Sequence, residues 1–312
     1  MRSLSRWTVL ICALAALVVA GCGGDDEKSS TTASNASDSG ASCPDGKVRF
    51  GIEPYEDPAK LKPAYTVLAQ ALEKKLGCPV ELQVVEDYSA EVLAMRNDKL
   101  DVAEFGPLGF VFASQRANAE PVASFGDASG NLSSYKAGIW VAKDSPVQGI
   151  GDLKGKSLAL SEPGSTSGDA MPRYALKTEA NLDFKKDLKV EYAGGHPEAL
   201  LALAKGKVDA AEINTQQLAT STDEGQFDES KFRRIWESKP IPNDPITVRG
   251  TLDPAFKAKV KEAFTQLQPT DVAKVGAFLD VDPPGPMVEV TKGTYQPLFD
   301  LASSLGLTEK DV

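Results

Sequence analysis

The sequence has little of what several classes of protein require. Its 312 residues include one histidine and four cysteines, too few for a histidine-based metal site or an array of zinc fingers. Acidic residues outnumber basic ones by 44 to 34, a net charge of −10, which argues against a nucleic-acid partner because such partners need a basic surface. With 42% hydrophobic and 25% charged residues, the composition predicts a folded globular chain of about two domains.

No apolar run is long enough to span a bilayer comfortably, but residues 1–21 are typical of a secretion signal. Arg2 and Arg6 precede an apolar stretch over residues 7–20, about the length of a signal-peptide core. Small residues directly precede Cys22, and this pattern resembles a bacterial lipobox, in which the chain is cleaved before the cysteine and the cysteine is acylated. The alternative is an ordinary cleaved signal followed by a chance cysteine.

Cleavage before Cys22 leaves 291 residues with 32 basic and 44 acidic side chains, a balance of −12. Residues 22–42 are rich in Gly, Asp, Ser and Thr without apolar periodicity, so we expect a lipidated cysteine followed by a flexible tether. A lipid, a tether and a folded body predict a protein anchored at the outer face of the cytoplasmic membrane.

Two cysteines, Cys43 and Cys78, remain in the predicted exported body. They precede predicted strands at Val48–Ile52 and Val80–Val85, and the parallel strands of a βαβ unit are often neighbours. The starts of these strands would then lie side by side. We therefore expect a disulfide in this exported chain, the alternative being two free thiols.

The hydrophobic periodicity predicts an α/β fold with two Rossmann-like lobes. Strands alternate with helices such as Lys60–Leu76, whose apolar residues recur at helical spacing and which stops at Gly77, and this βαβαβ order predicts a parallel sheet. After a predicted strand over Tyr135–Lys143, βα units resume from Ser157–Leu160 onward.

One pattern occurs twice in the sequence, 108 residues apart. A helix, a Lys-apolar-Asp step and a strand that ends in glutamate place Glu104 and Glu212 at equivalent positions. Ligands of open α/β sheets bind at the carboxyl ends of the strands, so both glutamates are candidate site residues. The alternative is chance convergence of two short βα units.

The segment 161–168 indicates an anion site. It follows a strand, precedes a helix expected to start near Asp169, and carries the hydroxyls of Ser165, Thr166 and Ser167 between two glycines. The amide groups and positive dipole end of a helix N-terminus attract anions, whereas a plain N-cap loop is the alternative. The Walker phosphate-binding pattern is absent from the sequence, and we expect no cofactor.

Two other helix starts carry candidate ligand groups. His196, the only histidine, follows two glycines at the end of a predicted strand, where a ring N–H can donate to an anionic oxygen. The alternative is an ordinary surface or core histidine. A helix also starts near Pro107, just after Glu104, where a tight packing turn is the alternative to a ligand contact.

Together, these residues resemble the substrate-binding proteins of phosphonate, phosphite and phosphate ABC transporters, a group of type II periplasmic binding proteins. The motifs that carry the resemblance run in order through nearly the whole predicted mature chain. They are Glu53–Tyr55, Asp101–Pro107, Asp152–Lys156, Gly164–Gly168, Gly194–His196, Gly206–Ala210 and Ile241–Pro245.

The resemblance implies two lobes that close over a ligand and are joined by crossing segments near Ser134–Gly138 and Trp236–Ile241. We expect lobe 1 to comprise residues 43–136 and 239–312, and lobe 2 residues 137–238. The family holds its phosphonate group on the Ser-Thr-Ser loop, the histidine and a tyrosine. The corresponding positions here are Ser165, Thr166, Ser167, His196 and Tyr135. Tyr55 is a further candidate for the pocket lining, with a core tyrosine as the alternative.

Three acids, Glu104, Glu212 and Asp244, would lie near this pocket, and a carboxylate beside an oxyanion is repulsive. The ligand could carry an ammonium group, as 2-aminoethylphosphonate does, or a P–OH group that donates to the acid, or the acids could face solvent. The sequence leaves these three explanations open.

The expected function is that of a lipid-anchored solute receptor that delivers a small phosphorus oxyanion to an ABC permease and its ATPase. We expect a monomer without metal or catalytic residues. The alternatives are a ligand-sensing receptor subunit for a signalling partner and, less favoured, a phosphate-ester hydrolase, because the sequence offers one histidine for a Ser-His-acid set and no clustered metal ligands.

Overall fold

The structure is a computed structural model that describes residues 42–308. The described helices are α1 Pro58–Leu76, α2 Tyr88–Arg96, α3 Pro107–Arg116, α4 Met171–Thr178, α5 His196–Ala204, α6 Thr215–Asp223, α7 Pro254–Thr265, α8 Pro269–Phe278 and α9 Gln296–Leu305. The described strands are β1 Val48–Ile52, β2 Val80–Val84, β3 Val102–Glu104, β4 Glu120–Phe125, β5 Ser134–Tyr135, β6 Gly138–Ala142, β7 Ser157–Leu160, β8 Lys189–Tyr192, β9 Ala210–Glu212, β10 Phe232–Glu237, β11 Ile241–Pro242, β12 Pro245–Val248 and β13 Met287–Val288.

The first lobe is built on a six-stranded sheet with the order β13-β4-β12-β3-β1-β2. As the βαβαβ pattern predicts, β1 pairs in parallel with β2 and β3. The parallel sheet predicted from this unit is confirmed for these three strands, and β12, which was not predicted, returns from the second lobe and enters antiparallel between β3 and β4. Apolar cores cover both faces of this sheet.

Helix α1 shows how the sequence sets the ends of these elements. The Asp57 side chain caps the first turn by accepting a hydrogen bond from the Ala59 N–H at 2.8 Å, and Gly77 ends the helix with φ of 64°, a conformation that glycine adopts without strain. The apolar side of α1 is buried in the core, and this packing places the fully buried Tyr65 close to the end of β3.

A disulfide joins Cys43 to Cys78, with 5.8 Å between their Cα atoms. The parallel register sets Val48 opposite Val80, so the two cysteines stand side by side just ahead of β1 and β2. The predicted disulfide is confirmed.

The second lobe is built on a five-stranded sheet with the order β10-β6-β9-β7-β8. The βα units give the parallel pairs of β7 with β8 and β9, whereas β6 runs antiparallel to β9 and β10. Helices α4 and α5 lie on opposite faces of this sheet and bury separate apolar clusters.

The chain crosses between the sheets twice, and the crossing segments pair as the short antiparallel ribbon of β5 and β11. The single strand predicted over Tyr135–Lys143 is wrong, because the chain leaves the ribbon after Tyr135 and joins the second sheet at Gly138. The prediction of two α/β lobes with a two-segment hinge is confirmed. The exact lobe limits, after residues 136 and 238, stay predictions.

The predicted signal peptide, Cys22 and the tether up to residue 41 lie outside the described residues. Within residues 42–308, no helix is both long and apolar enough to cross a membrane.

Candidate functional site

A polar pocket lies between the two lobes, next to the crossing ribbon. The space open to the centre of a water molecule is about 20 Å³, so the side chains of the lining lie close together. Both lobes contribute to its lining, which consists of Glu53, Tyr55, Glu56, Tyr88, Gly106, Tyr135, Ser165, Thr166, Ser167, His196, Asn214, Gln216, Gln217, Thr220, Asp244 and Phe278.

The loop after β7 provides three buried hydroxyl groups, those of Ser165, Thr166 and Ser167. Ser165 Oγ caps a π-helical turn over Thr166–Ala170 by accepting from the Gly168 N–H at 3.1 Å. The helix predicted near Asp169 is therefore this π turn followed by α4. The loop presents hydroxyl groups and the start of a helix to the same pocket, a combination that favours an anion.

Glycine is required at position 168 because the backbone there passes close to neighbouring side chains. A Cβ atom on Gly168 would lie 1.8 Å from Ser161 Oγ and 2.8 Å from His196 Cε1. Any larger residue would therefore push the hydroxyl loop away from the histidine.

His196 stands at the start of α5 and faces this loop, with its Nε2 atom 3.1 Å from Ser165 Oγ. Its Nδ1 atom shares a short hydrogen bond with the buried Glu212 carboxylate. Burial lowers the pKa of His196, but the charge and hydrogen bond of Glu212 outweigh burial and leave the pKa above its ordinary value. The imidazolium form supplies a positive charge in a lining that, within residues 42–308, contains no Lys or Arg.

Ser165, His196 and Glu212 thus form a hydrogen-bonded row. The row resembles a Ser-His-acid triad. We did not expect such a triad from the sequence of this chain. Ser165 also serves as the cap of the π turn, and the same row can donate hydrogen bonds to a bound anion.

Asn214 extends the row of polar groups on the lobe 2 side. Its side chain caps α6 by accepting from the Gln217 N–H at 2.7 Å, and its amide group donates to Ser167 Oγ at 3.0 Å. We did not predict α6 or this residue, although an asparagine is a common residue at the start of a helix.

Three tyrosines, Tyr55, Tyr88 and Tyr135, complete the donor groups of the lining. Burial raises the pKa of each well above its ordinary value, and nearby carboxyl groups raise it further. The three hydroxyl groups therefore stay protonated. Those of Tyr88 and Tyr135 can act as neutral donors to a ligand, whereas the Tyr55 hydroxyl donates to Tyr65, which in turn donates to Glu104. Nothing in the local sequence around Tyr88 marked it as a site residue.

Four acids meet at one edge of the first sheet. Glu53 and Asp244 line the pocket, whereas Glu91 and Glu104 lie behind it, and all four are at most 4% exposed. The sheet register explains the cluster, because Glu104 pairs with the residue before Glu53 on β1 and with Ile246 on β12. Burial raises the pKa of Asp244 to about 7 and raises the pKa of the three glutamates well above the ordinary range, and repulsion within the cluster adds to the glutamates' shifts.

The structure brings most of the predicted site residues together. Those that line the pocket are Ser165, Thr166, Ser167, His196, Tyr135, Tyr55 and Asp244. Glu104 and Glu212 end the equivalent strands β3 and β9 as the repeated pattern predicts, but neither is in the lining.

The two glutamates sit behind side chains that do reach the pocket. Glu104 accepts a hydrogen bond from Tyr65 at 2.5 Å, and Tyr65 bonds to Tyr55 at 2.9 Å, while Glu212 stands behind His196. A solvent-facing position for Glu104, Glu212 or Asp244 is wrong, because all three are buried.

Contacts between the lobes close the pocket. The Leu108 N–H donates to Thr166 Oγ1 at 2.9 Å, which joins the start of α3 to the hydroxyl loop. Three further contacts join the lobes. The Tyr88 N–H donates to Glu162, the Gln216 amide donates to Asn243, and Lys60 forms an ion pair with Glu224. Within the described residues, no group of three His, Cys, Asp or Glu side chains is arranged to hold a metal ion.

Residues 50–282 match the family model for the periplasmic substrate-binding protein of phosphonate ABC transporters. The chain is 34% identical over 221 residues to the phosphonates-binding periplasmic protein of Escherichia coli, a match that covers 70% of this chain and 65%, just under two thirds, of that protein. It is 29% identical over 263 residues to the phosphate-import protein PhnD of Mycolicibacterium smegmatis, covering 81% of this chain and 79% of that protein.

A solved structure has a similar fold. It is the binding-protein component of an ABC phosphonate transporter from Pseudomonas aeruginosa, with a TM-score of 0.72 and 27% sequence identity. The similarity covers 81% of this chain and 84% of that one.

The buried acids predict an unusual dependence of stability on pH. Because burial raises the pKa of Glu91 above its unfolded value, the folded state binds more protons, and the free energy of unfolding falls as the pH rises above about 4.5. For each acid that stays protonated in the folded state, the free energy of unfolding falls by about 1.4 kcal/mol per pH unit. In urea unfolding without ligand, we expect Glu91→Gln to reduce the loss of stability between pH 5 and pH 8 by at least about 1 kcal/mol.

The exposed Glu229→Gln is the control for that experiment and should keep the wild-type loss. A Glu91→Gln variant that loses as much stability as the wild type over this pH range would show that Glu91 does not hold its proton in the folded state.

Proposed function

Because the chain belongs to the phosphonate-binding family of periplasmic ABC-transporter substrate-binding proteins, we propose that it binds a small phosphorus oxyanion between its lobes and delivers it to an ABC permease and its ATPase. The ligand class comprises phosphate, phosphite and phosphonates such as methylphosphonate and 2-aminoethylphosphonate. The site residues we assign to it are Ser165, Thr166, Ser167, His196, Tyr135, Tyr55 and Asp244.

One observation carries the proposal. The buried hydroxyl loop, the start of the π turn and the histidine paired with Glu212 converge on a single pocket. Hydroxyl and N–H donors in a site sheltered from water hold an oxyanion more strongly than they would in water.

The anchor is part of the same proposal. Cleavage before Cys22 and acylation of that residue would hold the binding lobes at the outer face of the cytoplasmic membrane, close to the permease. The family match supports an extracytoplasmic location, and we propose that the chain acts as a monomer with lobe limits after residues 136 and 238.

Calorimetric titration of residues 43–312 with phosphate, phosphite, methylphosphonate and 2-aminoethylphosphonate tests the function directly. We expect saturable binding of at least one of them with one site per chain. Failure of all four to bind would exclude the proposed function. Steady hydrolysis of a phosphate ester would instead assign the Ser165-His196-Glu212 row to catalysis.

Removal of one donor should weaken binding without abolishing the fold. We expect Ser165→Ala to lower affinity for the best of these ligands by about 10- to 100-fold, the loss of one charge-assisted hydrogen bond together with the cap of the π turn. The exposed Ser129→Ala should bind like the wild type in the same titration. Equal affinities of the wild type, Ser165→Ala and Ser129→Ala would show that the ligand binds elsewhere.

The pairing of His196 with Glu212 gives a separate prediction. Glu212 is what keeps the pKa of the buried His196 above its ordinary value, so in Glu212→Gln burial should shift that pKa downward and leave the ring neutral at pH 7. We expect oxyanion affinity at pH 7 to fall at least about tenfold and to recover partly toward pH 5.5. A uniform loss at both pH values would mean that Glu212 only positions the ring.

A further inference from the structure

The pocket holds more acid than an anion site tolerates in ionised form. Glu53, Glu91, Glu104 and Asp244 gather where β1 and β3 end and β12 begins. One oxygen of Glu53, Glu104 and Asp244, and both oxygens of Glu91, have no hydrogen-bond partner within the described structure. A buried carboxylate without a partner costs several kcal/mol, and like charges nearby add to that cost, so burial favours the protonated form of these groups. The pKa of Asp244 is raised only to about 7, so this carboxyl group is still mostly ionised in the free protein at pH 8.

The charged and titratable groups around Asp244 supply little positive charge to stabilise its ionised form. Those that influence it or are influenced by it are Glu53, Glu91, Glu104, His196, Tyr55, Tyr88, Tyr135 and Tyr295. His196 is the one member of this set that can carry a positive charge, and its Nδ1 atom is already bonded to Glu212.

We propose that Glu53 and Asp244 meet the bound oxyanion as carboxylic acids that donate O–H hydrogen bonds, so that ligand binding takes up a proton from solution. The proton comes from solvent and stays on the carboxyl group, and no covalent bond to the ligand forms or breaks. The proposal rests on the proposed function and narrows its substrate class to small phosphorus oxyanions that lack an ammonium group.

An ammonium ligand would require the opposite state of the cluster. It would need Glu53 or Asp244 to be ionised at the pocket wall, whereas their unpartnered buried oxygens favour the protonated form. Protonated Glu53 and Asp244 instead extend the set of donors that the hydroxyl loop, His196 and the tyrosines begin.

Proton uptake can be measured by calorimetric titration of the full chain, solubilised in detergent, with phosphite and methylphosphonate at pH 8. The observed enthalpy, plotted against the ionisation enthalpy of several buffers, gives the number of protons taken up. The free ligand carries the same protons in every titration, so differences between variants report the protonation change of the protein–ligand complex. The variants are Asp244→Asn and Glu53→Gln, with the exposed Glu86→Gln as the matched control.

We expect the wild type and Glu86→Gln to take up about one proton more than Asp244→Asn, with a smaller deficit for Glu53→Gln. Above pH 7 the wild-type affinity should fall by up to about tenfold per pH unit relative to Asp244→Asn, and 2-aminoethylphosphonate should bind at least about tenfold more weakly than methylphosphonate.

Two results would overturn this inference and leave the proposed function intact. One is equal proton uptake by the wild type, Asp244→Asn and Glu53→Gln. The other is tighter binding of 2-aminoethylphosphonate than of methylphosphonate, with the preference lost in Asp244→Asn, which would assign the acids to the ammonium group. If none of the oxyanions binds, the proposed function itself fails.

Discussion

The proposed function requires the pocket to hold an anion, although its described lining offers no lysine or arginine and places acids against the ligand space. The arrangement of the other site groups answers this constraint. Glu212 maintains the charge of His196, the serine and threonine hydroxyls sit at the start of a helix, and the tyrosines stay protonated by burial. An unfavourable global charge of −10 is thereby compatible with an oxyanion ligand, because short-range donors act where water is excluded.

The fold supplies these groups from two directions. The strand ends and helix starts of lobe 2 bring the hydroxyl loop, His196 and Asn214 to one wall, and the ends of β1 and β3 bring the acids to the other. The contact of the Leu108 N–H with Thr166 Oγ1 couples the donor wall to lobe 1. Closure of the lobes is therefore part of the site, since the same threonine lines the pocket and joins the two lobes.

Much of the fold and of the candidate site was predictable from the sequence, and the predictions that failed did so for physical reasons. Gly-rich helix starts identified Ser165 and His196, and strand order identified the Cys43–Cys78 disulfide, because these signals are local. The antiparallel entry of β12 was missed because its partners lie more than 100 residues away in sequence. Glu104 and Glu212 were correctly placed at strand ends, but whether a side chain lines a pocket or stands behind Tyr65 or His196 depends on packing that no periodicity encodes.

The most direct test of this site is a crystal structure of the chain with methylphosphonate bound. We predict that phosphorus oxygens lie within hydrogen-bonding distance, about 3 Å, of Ser165, Ser167 and His196, and that a further oxygen faces Asp244 at a similar distance. A ligand bound outside this pocket, or one whose methyl group rather than an oxygen faces the hydroxyl loop, would contradict the assignment of donors and acids given above.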